Sequence, residues 1–500
     1  MPENAAQPSI TVSNISDRRA WITLAVLLIG MFIALLDATI VNVALPTIRT
    51  SLSASESTLS WIISGYALGL GLALIPAGRV GDRIGHKWVF IVGLALFTFA
   101  SAMCGIAQND TEIVVWRVLQ GVAGGIYIPA VGSFIQLLFV GRKRGKAFAI
   151  LGSVIGISSA FGLIIGGLLI QAFGNADGWR WVFFVNLPVG IIAVVAAIVI
   201  LPGHEKGLDH KSGLDLFGAL ILASGLVAIL VPLIEGQQEG WPLWTWLLLS
   251  GGIILMGLFG LWESSVAKRG HSPLVPLKLF THASFTFGTI LALVYFAAFT
   301  SIFFTLSILW QAGLGHSALD AGLLSLPFAL GTFVASSQSQ RVVAKLGRSA
   351  LLLGSAMIAV ALGTTWAVLA FVPTSDLNAW MLAGPLLIGG IGNGFFLAPN
   401  IQFIIASVDG RDAGAGSGVV NTMQRLGTAI GIAIIGSILF GSLSIVGTPP
   451  TAVDVANAFG HSASLAMGMS ALLAFAAFGL VFALPRRVQQ HGAPVMPATE

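Results

Sequence analysis

Three charged residues lie inside long apolar runs of this 500-residue chain: Asp37 in LLDATIVNVALP (35–46), Arg117 in RVLQGVAGG (117–125) and Arg425 in NTMQRLGTAIG (421–431). No other charge falls between Trp21 and Asp37. An ionisable side chain in such surroundings is expected to face a cavity or a partner charge, and to mark an ion or substrate path. Removal from water favours the protonated form of a carboxyl group, whereas a neighbouring guanidinium favours the ionised form. A carboxyl group held between those pulls can take up a proton and give it back. With a guanidinium such as that of Arg117 nearby, Asp37 would couple proton movement to another process. The competing structural readings are an Asp37 that only hydrogen-bonds Asn42 or an adjacent helix, and an Arg117 that ties helices together. For Arg425, substrate contact and a place near a cavity mouth are equally open.

The elements that must position these residues follow from composition. The chain is 56% hydrophobic and 9% charged, with 61 glycines, whereas soluble domains carry about 25% charged residues. So few charges cannot cover a soluble surface. Apolar runs near twenty residues recur, the length that crosses a hydrocarbon core of about 30 Å as a helix. The expected fold class is an all-α, polytopic membrane protein. Fourteen spans are expected near 20–42, 58–77, 87–107, 112–139, 147–172, 180–201, 214–234, 243–262, 284–311, 318–340, 349–372, 379–406, 413–442 and 459–485. The first nineteen residues are polar and no clear cleavage site follows the first apolar run, so no cleavable signal peptide is expected. The net charge of +4 is dispersed over short loops and does not point to nucleic acid. The single cysteine, Cys104, excludes an intrachain disulfide framework and multi-cysteine metal sites, and reads as a packing residue. No cofactor and no metal are expected.

Basic residues cluster in the loops after even-numbered spans: RVGDRIGHK, GRKRGK, HEKGLDHK, AKRG, RVVAKLGR and DGRD, with Arg18, Arg19, Arg486 and Arg487 at the termini. The opposite loops carry little beyond Arg49 and Arg180. This bias places both termini in the cytoplasm. A repeat is also visible. GRVGDRIGHK (78–87) follows the second span and QRVVAKLGRS (340–349) the tenth; a shift of 262 positions puts Gly85 on Gly347, Arg83 on Lys345 and Asp82 on Ala344. GVAGGIYIPA in the fourth span is similar to GIGNGFFLAP in the twelfth. The expected organisation is a cytoplasmic segment 1–19, a six-helix half 20–201, a linker 202–283 with two extra spans, a second six-helix half 284–485 and a cytoplasmic tail 486–500. Paired halves belong to rocking secondary transporters, whose substrate site lies at the midplane between repeats.

These motifs together resemble the major facilitator superfamily. GRVGDRIGHK is similar to its loop signature, and RVLQGVAGG, with Arg117, Gln120, Gly121 and Gly124, to its second motif. GSVIGISSAFGLIIGG (152–167) resembles its antiporter motif, except that Leu163 stands where a proline is usual after Gly162. LLDATIVNVALP and WRWVFFVNLPVG (179–190) look like signatures of the fourteen-helix drug:proton antiporter branch, which includes quaternary-ammonium and multidrug exporters. The resemblance covers nearly the whole chain. It implies a proton-coupled antiporter of the bacterial plasma (inner) membrane, acting as a monomer, that exports lipophilic or amphipathic molecules by alternating access.

The resemblance also implies gating roles. Asp82, in the loop with Gly78, Arg83, Gly85 and Lys87, is expected to be held by a helix N-terminus or an arginine of the other half, near DAGAGSGV (412–419), when the cytoplasmic side is shut. The second half has Ala344 at the matching place, so the latch should be one-sided. Gly152, Gly156, Gly162, Gly166 and Gly167 form a small-residue stripe that allows close helix approach. The family implies that it faces the other half; ordinary packing is the alternative. Residues expected to line the substrate cavity are Asn42, Trp61, Tyr66, Gln120, Tyr127, Trp310, Gln311, Asn393, Phe396, Asn400, Asn421 and Arg425. Aromatic faces with a few amides suit flat or amphipathic cargo, and one deep acid suits neutral or monocationic molecules.

No G-x-x-x-x-G-K-[ST] motif occurs, so an ion gradient must drive transport. One charge crossing ~150 mV is worth roughly 3.5 kcal/mol, about 2.5 decades of gradient for a neutral cargo. The rival readings are an uptake symporter on the same fold, an exporter of a lipid, cell-envelope precursor or metabolite, and an intramembrane enzyme. The last would need a catalytic pair at membrane depth, and only one deep aspartate is present.

Overall fold

The structure, a computed structural model, describes residues 16–54, 56–203, 215–236, 239–271, 273–405, 408, 412–445 and 451–485. Most of the expected amino-terminal segment, the loop 204–214 and the tail 486–500 with Arg486 and Arg487 lie outside the described residues. Those described are mainly helical, with no strand among them. In order, the helices are α1 (Asp17–Leu52), α2 (Glu56–Ile84), α3 (His86–Ile106), α4 (Asp110–Leu138), α5 (Gly141–Phe184), α6 (Asn186–Ile200), α7 (Leu216–Glu235) and α8 (Leu243–Lys268). Then follow α9 (Ala283–Ile308), α10 (Ala318–Leu324), α11 (Leu326–Leu346), α12 (Ser349–Phe371), α13 (Ala379–Ile405), α14 (Ala413–Gly441) and α15 (Ala452–Leu480). Helices are what such runs must form in lipid, because each backbone N–H and C=O is then paired within its own segment. Several starts carry polar caps: Asn109 accepts from Glu112 N at 2.9 Å, and Ser317–Asp320 and Thr451–Asp454 form capping boxes.

Twelve helices among the described residues are long and apolar enough to cross a membrane. The expected span boundaries shift in several places; the tenth, for one, is divided at Ser325 into α10 and α11. The fifth and sixth spans are joined: α5 runs through to Phe184 with a break at Gly174, whose φ of 82° favours glycine. The ninth is extended by a π turn, Leu309–Gly313, that carries Trp310 and Gln311.

Helices α1–α6 pack mainly on one another, α2 against α4 and α1 against α5; α11 and α12 pack on α13, and α9 on α14. The two groups meet where α2 touches α14 and α5 touches α11. Internal similarity accounts for this pairing. In α4, Gly121 and Gly125 leave no room for a β-carbon against the backbone oxygens of Tyr66 and Leu70 in α2. In α13, Gly390 and Gly394 do the same against Phe328 O and Ser336 N in α11. Two glycines four residues apart thus bring each fourth-position helix onto its second-position helix. Gly85 (φ 102°) and Gly347 (φ 54°) likewise occupy the same corner of each group.

The glycine stripe of α5 divides. A β-carbon on Gly152 would sit 3.3 Å from Ala398 Cβ, and one on Gly156 would strike Thr332, so these two face α13 and α11 across the groups. Gly162 and Gly166 instead meet Thr39 and Ile40 of α1 within the first group. Gly167 is half-buried. The stripe therefore is not one seam between halves: α5 crosses from one neighbour to another along its length.

Two leucine variants separate these seams, each overpacking by about 1–3 kcal/mol. Gly166→Leu should lower the melting temperature of purified protein by forcing α1 off α5. Gly156→Leu should leave melting closer to wild type and reduce cross-linking between cysteines placed on α5 and α11. Equal melting losses with unchanged cross-linking would contradict the division.

Candidate functional site

Asp37 has no exposed surface, and Arg117, Gln120 and Asn186 are at most 1% exposed. Arg117 Nη1 donates to Asp37 Oδ2 at 2.5 Å and to Gln120 Oε1 at 2.8 Å. Gln120 Nε2 and Asn186 Nδ2 both donate to Asp37 Oδ1, at 3.0 and 2.8 Å. Arg117 Nε donates to Ile62 O at 2.9 Å, and its guanidinium lies 4.3 Å from the centroid of the Tyr66 ring. Tyr66 OH donates to Ala34 O, and Asn186 also donates to Ser101 Oγ. The α4 spacing explains part of this: residues three apart share a helix face, so Arg117 and Gln120 reach the carboxylate together. Asn186 arrives from the first turn of α6.

Breaking such a buried pair by removing one partner costs roughly 3–5 kcal/mol, because a bare charge remains. The expected neighbours Asp37 and Arg117 do meet, but inside the first helix group rather than on an open cavity wall. Asn42 is exposed and takes no part. Asn186 was not expected as a site residue; the available signal was an amide just before Leu-Pro in the run VFFVNLPVG.

A second polar site lies at the junction of the groups. Asp82 Oδ1 accepts from Gly414 N at 2.7 Å and Oδ2 from Ala415 N at 3.0 Å. These are free N–H groups in the first turn of α14, where the helix dipole also favours a carboxylate. Arg79 bridges to Asp412 at 3.4 Å and Lys278 joins the same carboxylate at 3.0 Å. His86 Nε2 is 3.4 Å from Asp82 Oδ1. Gly78 and Gly414 have no room for a β-carbon between their backbones, which lets Asp82 come this close. Gln136 Nε2 adds a bond to Val408 O at 2.9 Å.

The pair of similar helix groups, the loop carboxylate between them and the buried Asp37–Arg117 pair agree with one comparison. The Major Facilitator Superfamily model matches residues 27–432. The chain belongs to the major facilitator superfamily. It is 33% identical over 447 residues (89% of this chain, 76% of the other) to a Streptomyces coelicolor protein described as "Probable actinorhodin transporter". It is 32% identical to puromycin resistance protein pur8 of Streptomyces alboniger, covering 91% of this chain and 90% of that protein. Its fold is similar to that of the human organic anion transporter MFSD10, with a TM-score of 0.66 at 15% identity, covering 94% of this chain and all of the other. The protein is thus a multi-pass membrane transporter of this superfamily.

The remaining residues expected at the site are dispersed. Tyr127 is buried between Phe90 and Phe97 and donates to Gly30 O, as a packing residue of the transporter's first half. Asn393 Oδ1 accepts from Tyr295 OH at 2.7 Å, and the Tyr295 and Phe396 rings stack 3.8 Å apart, an aromatic cluster that composition alone did not assign to Tyr295. Asn400 is buried, with Nδ2 donating to Gly288 O at 3.5 Å. Asn421 donates to Ser417 O within its own helix. Trp310 stacks on His316, and Gln311 is exposed. Trp61 lines a groove of about 220 Å³ with Thr58, Asp110 and Val114 at the far end of α2 and α4 from Asp82. Arg425 is half-buried on α14, with Tyr66 in electrostatic range. Of the loop residues, Lys87 does not join the junction: its Nζ donates to Ile198 O and Leu201 O, closing the C-terminus of α6. Arg83 is half-buried beside the junction.

Asp82→Asn removes the charge facing α14 and one acceptor, a loss of about 1–2 kcal/mol. Spin labels on the ends of α2 and α14 should move apart, and Ala344→Asp should not bring them back; unchanged distances with impaired transport would contradict the latch. Asn186→Ala removes a donor from Asp37 and should cost about 1–3 kcal/mol of stability, measured by thermal melting against wild type.

Proposed function

We propose that this transporter is a proton-coupled antiporter that exports lipophilic or amphipathic small molecules, drugs and dyes among them, by alternating access. The observation that carries this reading is the fully buried Asp37–Arg117 pair with its contacts to α2. A proton on Asp37 cancels the charge that holds Arg117, while Ile62 O and the Tyr66 ring keep their hold on the guanidinium. Both lie on α2, whose other end carries Asp82 against α14. Protonation of Asp37 thereby acts along α2 on the closed junction, and re-formation of the ion pair resets it. Asn186 and Gln120 fix the carboxylate so that one oxygen, Oδ2, faces the arginine.

The relatives named for actinorhodin transport and puromycin resistance support a small-molecule drug as cargo. Arg117 and Asp37 cancel; among the described residues, the unmatched charge at membrane depth is Arg425. That surplus disfavours cationic cargo and narrows the class to neutral or acidic aromatic molecules, against the monocationic option open from composition. The basic loops support a bacterial plasma (inner) membrane protein with both termini and the Asp82 junction in the cytoplasm. Helical stretches 141–173 and 318–346, added to the twelve apolar helices, give fourteen spans, divided as 20–201, 202–283 and 284–485. The protein works as a monomer.

Asp37→Asn keeps size and most hydrogen bonds but cannot titrate. Purified Asp37→Asn protein in liposomes should lose pH-gradient-driven dye transport while retaining downhill exchange. Concentrative, proton-driven transport by this variant would overturn the role of Asp37.

A further inference from the structure

A second buried carboxyl group lies outside the Asp37 site, in the hairpin α7–α8 inserted between the two halves. Glu263 of α8 has no exposed surface. Its Oε2 accepts from Val275 N at 2.9 Å, in the linker that leads from α8 to α9. Its Oε1 is buried and has no hydrogen-bond partner among the described residues. A β-carbon placed on Gly218 would lie 2.9 Å from this oxygen and 2.5 Å from Asp215 Oδ2, so the two carboxyl groups converge on the first turn of α7. Asp215 accepts one bond at each oxygen, Oδ1 from Gly218 N–H at 2.8 Å, as the helix cap, and Oδ2 from Trp262 Nε1–H at 2.7 Å, which leaves each oxygen a further lone pair. Among the described residues Glu263 Oε1 accepts no hydrogen bond, and the Asp215 carboxylate, also an acceptor, converges on the same glycine.

Two ionised carboxylates at such a place repel each other in a water-poor site, and one oxygen stays unsatisfied. A single proton resolves both problems. A protonated carboxyl group is a donor as well as an acceptor, so Glu263 Oε1–H can donate to Asp215 while Oε2 keeps the Val275 N–H.

We propose that Glu263 and Asp215 hold one proton between them, taken from the cytoplasmic side, and that this carboxyl pair is a proton-sensitive clamp on the α8–α9 linker. The linker continues to Lys278, which pairs with Asp412 at the start of α14, and Arg79 pairs with the same carboxylate. Arg79 and Asp215 are the charged side chains acting on Glu263 among the described residues. Loss of the proton adds a negative charge in the field of Arg79, in competition with Asp412. The inserted hairpin thereby reports cytoplasmic proton availability to the junction, by a route separate from Asp37.

The test uses the full-length protein in lipid nanodiscs. Infrared spectra recorded over a pH series should show a protonated-carboxyl C=O band that is lost on alkalinisation. Glu263→Gln should abolish this band and Asp37→Asn should retain it. Asp215→Asn keeps the helix cap and removes the like charge, so it should lower the proton affinity about tenfold; it probes the pair even if Glu263→Gln folds poorly. Spin labels across α2 and α14 should separate at alkaline pH in wild type and stay together in Glu263→Gln. A band indifferent to Glu263→Gln, a titration unmoved by Asp215→Asn, or identical label distances in both proteins would overturn the proposal. The infrared result is independent of transport, so its failure is distinct from failure of the antiport reading.

Discussion

A carboxylate without exposed surface in an apolar bundle persists only if donors surround it, and three converge on Asp37 from α4 and α6. That requirement shapes the whole first half. Arg117 must approach from α4, so α4 must lie close to α1 and α2, and Gly121 and Gly125 supply the closeness by letting α4 ride on the α2 backbone. The start of α6 must face the same point, which places the α5–α6 corner, with Trp179 and Phe183 fully buried, against α1 and α3. Arg180 secures that corner by donating to Gly105 O and Ala107 O at the end of α3. An interior charge pair is a weak source of stability; under the antiport reading proposed above, its value is to make helix placement depend on a protonation state.

The two halves share an architecture and differ in charge. In each, a pair of glycines four residues apart joins the fourth helix to the second, and a glycine with positive φ turns the corner after the second. Among the described residues, the fully buried ion pair belongs to the first half; the corresponding region of the second contains Tyr295, Asn393 and Phe396, a neutral cluster of hydrogen-bonded and stacked groups. Asp82 faces the N-terminus of α14, whereas its counterpart, Ala344, has no charge to offer α5. The buried ion pair and the Asp82 carboxylate thereby lie in one half, and the other supplies the backbone N–H groups of α14 and the carboxylate of Asp412.

The inserted hairpin is more than added membrane contact. Helix α7 touches both α2 and α14, and Trp241 Nε1 donates to Ser437 Oγ of α14 at 2.9 Å. At the opposite end, the linker after α8 reaches the α14 start through Lys278. The hairpin is thus tied near both ends of one helix of the second half.

Much of this was legible in the amino-acid sequence, and the legible part is local. Apolar runs determine spans because a helix in lipid must satisfy its own backbone, and loop charges bear on orientation because they act over short distances. The repeat, the Asp82 loop and its partner segment at 412–419, and the adjacency of Asp37 and Arg117 could be read from motif order and family resemblance. The tertiary structure alone decided which face of each helix meets which neighbour. A membrane helix is apolar all round, so periodicity does not say which side points inward. Hence Tyr127, expected in the cavity, is a packing residue, and Lys87, expected at the gate, closes α6. The α5 glycines serve two seams, Asn186 becomes a ligand of Asp37, and Glu263 meets Asp215 from 48 residues away in the chain, a proximity that only the close packing of α7 on α8 could create.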